Sequence, residues 1–149
     1  MPLFQFRLAT LLRLREVARE ERRTQLAEAL RLVDQLRARQ QEIEELVRET
    51  KRLQTPAAGA LDADRLLNAT RYELVLRAEQ RALQLQEVSV QSEVEKRREA
   101  LVDANREVRS LELLREKQKE AHQAEEEARA RKEMDEIAAR RYAGEEYAC

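Results

Sequence analysis

The chain has 149 residues, 40% of them charged and 3% aromatic, and a formal net charge of −1. About two-thirds of it is Ala, Glu, Leu, Lys and Arg, the composition of a coiled coil or long helix; two Gly, two Pro and no Trp are too few turn residues for a β-sandwich or α/β enzyme and too little aromatic bulk for a thick globular core. The near-equal counts of 29 basic and 30 acidic residues argue against nucleic acid as a partner, because duplex binding needs a clustered basic face.

The N-terminal stretch, Pro2-Leu3-Phe4-Gln5-Phe6, lacks the basic flank and unbroken apolar run of a signal peptide. Both Phe residues of the chain lie in it. They either pack against Leu111 and Leu114 of a second helix, the preferred reading, or fill a pocket on a partner, since exposed aromatics are favoured interface anchors. A basic run follows at Arg13, Arg15, Arg19, Arg22 and Arg23, interrupted by Glu16, Glu20 and Glu21. It reads equally as a solvated face or as a docking surface for an acidic protein.

Between Pro2 and Pro56 lie 53 residues without Gly or Pro, which predicts a first helix over about residues 4–53. Stepping three and four residues alternately through it gives Leu8, Leu12, Leu26, Ala29, Val33, Leu36, Ile43 and Val47, with polar steps between some of them. That is a seam of period 3.5. The break is Thr55-Pro56-Ala57-Ala58-Gly59-Ala60, a turn over about 54–61. Asp62 can cap the next helix, Asp64 sits in its first turn, and Leu61 with Leu66 fits a hydrophobic staple.

Between Gly59 and Gly144 lie 84 residues without Gly or Pro, predicting a second helix over about 62–142. Its seam runs through Leu66, Ala69, Leu76, Leu83, Val90, Val94, Leu101, Ala104, Val108 and Leu111. Tyr72 and Val75 cannot both face inward with Leu76. A short link between long helices makes antiparallel neighbours. The predicted fold is therefore all-α: a long antiparallel two-helix coiled-coil hairpin forming a single domain over 1–149. Folding about residue 58 places Leu8 near Val108 and leaves residues after about 113 as an overhang of the longer second helix. Pairs such as Glu125/Arg129 and Glu136/Arg140 help that overhang only slightly, so it should fray in the free protein. Met134, Ile137, Ala138 and Tyr142 form an apolar stripe on it; with no core in reach, a partner is the better reading.

Signals for chemistry are sparse. His122 is the only histidine, and its neighbours Glu125 and Glu126 suit a charged helix as well as a metal site. Cys149 has no nearby His to activate it, and as the only Cys it points to a reducing compartment. Gly59 stands alone, without a phosphate loop. No catalytic, cofactor-binding or metal residue is expected, so the protein reads as a non-enzyme. No run approaches the length of a membrane-spanning helix, and direct membrane insertion is not expected.

The two ends carry a resemblance. Phe4-Gln5-Phe6-Arg7-Leu8 with Leu11-Leu12-Arg13-Leu14-Arg15-Glu16 resembles the opening of the flagellar FliJ family. Lys132-Glu133-Met134-Asp135-Glu136-Ile137-Ala138 with Arg140-Arg141-Tyr142 resembles its C-terminal signature. The resemblance implies a cytoplasmic coiled-coil stalk of the flagellar type III export apparatus, similar to the gamma subunit of rotary ATPases and peripheral to the inner membrane at the flagellar base. It implies three partners: the hexameric export ATPase, the cytoplasmic domain of the export gate, and export chaperones. On that basis Phe4, Phe6, Arg13, Arg15, Arg19, Met134, Ile137 and Arg141 fall on the ATPase side, and Tyr72 and Leu76 on the gate side. The chain in isolation should be a monomer. The rival readings are a stalk of a virulence secretion system and a self-associating structural coiled coil.

Overall fold

The structure, a computed structural model, describes residues 2–54 and 63–147. Two helices fill almost all of this: α1 over Ala9–Gln54, 46 residues, and α2 over Ala63–Tyr147, 85 residues. The fold is the all-α antiparallel hairpin that the composition and the two breaker-free stretches predict. Lys51 and Arg52 in the last turn of α1 and Asp64 in the first turn of α2 match the helix dipoles. The predicted turn, with Pro56, Gly59, Leu61 and Asp62, lies outside the described residues, as does Cys149.

The chain divides into two compact units, one of residues 20–103 and one of residues 1–19 with 104–149. In the first unit the seam is the core. Ala29, Val33 and Val94 form one buried cluster with Leu26 and Val90 packed on it. Ile43, Val47 and Leu76 form another with Leu46 and Leu83. Ion pairs flank them: Arg37 Nε donates to Glu87 at 2.8 Å, and Arg39 Nε donates to Glu79 at 3.0 Å. Arg97 donates to the Gln25 carbonyl. Thr50 is the one buried polar residue among those described; its hydroxyl donates to the Leu46 carbonyl at 2.7 Å, one turn back on its own helix, which satisfies it without help from α2.

In the second unit Leu12, Ala104 and Val108 are buried, and Arg15 pairs with Glu107 at 3.1 Å. Two expectations need correction here. Folding about residue 58 would place Arg15 opposite residue 101, whereas its partner is Glu107, and across both units α2 is displaced by about one heptad relative to that register. A slip of one heptad brings the same seam positions face to face, so the apolar pattern cannot distinguish the two registers. The overhang accordingly begins later. His122 and Glu126 are still half-buried, and every described residue from 127 onward is exposed. The other correction is at the N-terminus. α1 starts at Ala9, not near residue 4: residues 2–6 are non-helical and lead through a turn in which Ala9 N–H donates to the Phe6 carbonyl at 3.2 Å. At the far end α2 continues to Tyr147, past the predicted residue 142.

Candidate partner interface

The unit of residues 1–19 with 104–149 holds eight of the ten candidate residues. The non-helical N-terminal segment is fixed by a residue the sequence left unused. The ring of His122 lies 5.8 Å from the ring of Phe4 at a tilt of 39°, within the range of favourable aromatic pairs. Its Nε2 is 3.1 Å from the Pro2 carbonyl. A carbonyl only accepts, so this contact needs the proton on Nε2. Phe4 and Phe6 are half-buried, while Leu3 is exposed at 88%. Phe4 is therefore packed within the chain, with its ring on His122. The only signal for this in the sequence was a lone histidine on a charged helix, which carries no pointer to residues 120 positions away.

Arg13 and Arg15 are exposed and Arg19 is half-buried. Arg15 leans on Glu107, with 46% and 52% of the two side chains still open to solvent; such a pair adds no more than about 1 kcal/mol. Arg13 has no ion pair among the described residues. Farther along α2, Met134 is 66% exposed, Ile137 47% and Tyr142 67%, and Arg141 is exposed as well. Glu127 and Arg131, at 3.7 Å, brace the helix surface next to this stripe.

The two gate-side candidates lie in the unit of residues 20–103 and part company. Tyr72 is 46% exposed. Leu76 is buried at 3% against Ile43 and Val47, so its side chain packs the hairpin and presents nothing to a partner. Near it the electrostatics are set by inter-helix bonds: hydrogen bonds from Arg37 and then Gln40 hold the Glu87 carboxyl below the usual glutamate range. The hydrogen bonds that Arg39 donates to Glu42 and Glu79 raise its pKa, and it is charged in any case.

Among the described residues, no three His, Cys, Asp or Glu side chains are grouped to hold a metal ion. No described helix is long and apolar enough to cross a membrane. The arrangement is a paired helical rod segment with exposed arginines at the start of α1 and an exposed apolar stripe near the end of α2. A family model described as "Flagellar FliJ protein" matches residues 4–146. The chain belongs to the flagellar FliJ protein family. It is thus a flagellar, export-related protein, and the FliJ match spans both terminal segments and the heptads between them. No curated protein and no solved structure matches this FliJ-family chain.

Proposed function

We propose that this FliJ-family protein is a non-enzymatic stalk of the flagellar export apparatus. Its terminal segments enter the ring of the hexameric export ATPase, the region near the bend reaches the cytoplasmic domain of the export gate, and the chain also assists export chaperones. Such a protein works in the cytoplasm at the flagellar base. The observation that carries this reading is the single-helix end of α2. Residues 127–147 are all exposed and yet carry Met134, Ile137 and Tyr142 at helical spacing. A lone helix with an apolar stripe buries that stripe only by entering a groove or ring on another protein.

Exposed Arg13 and Arg15, on the α1 part of the same unit, offer charge to an acidic lining, and charge of this kind sets orientation and encounter rate more than affinity. Hydrolysis of ATP belongs to the partner; the stalk changes it only by coupling, through better binding to one state of the ring. The flagellar family match favours this over the virulence counterpart.

The test is stimulation of the export ATPase by the full chain. Arg15→Glu with Arg19→Glu should weaken binding and stimulation on the order of tenfold. Because Arg15 also pairs with Glu107, a second variant, Arg15→Glu with Glu107→Arg, restores an ion pair within the chain while keeping the reversed charge at position 15. It should remain as defective as Arg15→Glu alone. Full stimulation by both variants would sink the assignment of these arginines.

A further inference from the structure

α2 carries a second heptad stripe that the hairpin does not use. Positions 67, 71, 74, 78, 81, 85 and 88 step alternately by four and three residues. Each lies two residues before a position of the hairpin seam. Two residues turn an α-helix by about 200°, so this stripe faces away from α1. Leu67, Leu74, Leu85 and Val88 are 50%, 65%, 74% and 66% exposed, and Ala78 between them is exposed too. Exposed leucines at coiled-coil spacing are not the scattered apolar residues that any surface carries.

The charges of this stretch are sorted between its two faces. From Arg65 to Ser92 the acidic residues are Glu73, Glu79 and Glu87. All three turn toward α1: Glu73 accepts from Gln54 at 3.3 Å, Glu79 from Arg39 at 3.0 Å, and Glu87 from Arg37 and Gln40 at 2.8 Å each. Arg71 and Arg81 take the two remaining steps of the outer stripe, and among the described residues neither has an ion pair or a side-chain hydrogen bond. In a chain that is 40% charged, the outer face is left apolar with two unanswered cations and no acid.

We propose that this outer face binds an acidic amphipathic helix of a partner protein, forming a local three-helix coiled coil with α1 and α2. A second helix with a 3.5 repeat is the surface whose knobs match holes at that spacing. Glu or Asp flanking its seam would answer Arg71 and Arg81. A second copy of this chain brings the same acid-free face and answers neither arginine. A membrane surface calls for a broad apolar face and more cations, whereas this stripe is one seam wide. The site is separate from the residues assigned to the ATPase, and Tyr72, two residues before Leu74, points the other way. It does not depend on the stalk reading.

The probe is a labelled synthetic peptide of about four heptads with Leu at the seam and Glu at the flanking positions, compared with its Lys counterpart. Fluorescence anisotropy with the full chain should show the Glu peptide binding on the order of tenfold more tightly than the Lys peptide. Leu74→Gln with Leu85→Gln should abolish binding while leaving helicity and melting temperature unchanged, because neither residue touches the hairpin seam. Arg71→Glu with Arg81→Glu should reverse the preference toward the Lys peptide. Three results would each overturn the proposal: equal binding of the two peptides; binding that survives Leu74→Gln with Leu85→Gln; or no binding. Two further results would replace it. Loss of a concentration-dependent dimer in that variant would assign the face to a second copy. Loss of adsorption to vesicles containing phosphatidylserine would assign it to the membrane surface.

Discussion

Ile43 and Val108 are the largest fully buried side chains among those described, each at 1% exposure or less, and each occupies a seam step that the sequence pattern marks. In a two-helix hairpin a seam residue has few neighbours to relax into the space it leaves. Ile43→Ala should therefore lower unfolding free energy by about 2–4 kcal/mol, read from urea denaturation. Thr50 sits at the same kind of step, but its hydroxyl bonds only the Leu46 carbonyl of its own helix. Thr50→Val removes no inter-helix bond and should leave stability the same or raise it by up to about 1 kcal/mol in the same assay. Glu87 gives the pH dependence a sign. Its folded carboxyl is held below the ordinary value by Arg37 and Gln40, so its contribution is present above the ordinary glutamate pKa and lost as the pH falls through the lowered one. The urea midpoint should fall on acidification below the usual glutamate range, and the fall should be shallower in Glu87→Gln.

The helices themselves were legible because their signals are local. Pro and Gly mark where helix cannot continue, and a 3.5 repeat marks the face that pairs. Residues such as Ala29, Val33, Ile43, Val47, Leu76 and Val94 could be named as core before any coordinates. Register could not be. Cysteines placed at 37 and 87, in a chain with Cys149→Ser, should cross-link faster than cysteines at 37 and 79, the pair required by folding about residue 58. The reverse order would restore the register read from the sequence. The start of α1 was misplaced for a different reason. Helix propensity is permissive from residue 3 onward, but His122 holds the Pro2 carbonyl and the Phe4 ring, and a segment so held does not complete a helical turn. Separating that competition from simple propensity needs a contact 120 residues distant in sequence.

At the scale of the molecule, burial is confined to the paired stretches, and the end of α2 contributes none. Deleting residues 127–149 should leave the urea transition within about 0.5 kcal/mol of the full chain, while reducing helical circular dichroism and, on the stalk reading, abolishing ATPase stimulation. Composition, the spacing of four helix breakers and the heptad repeat by themselves determined an all-α hairpin, its two helices and the identity of its seam, since each is a property of neighbouring residues. Only the tertiary structure decided the register, the seat of the N-terminal segment on His122 and the bareness of the second stripe on α2. The reason is a degeneracy. A heptad repeat looks the same to its partner after a slip of seven residues, and apolar residues on two faces of one helix look alike until packing chooses which face is covered.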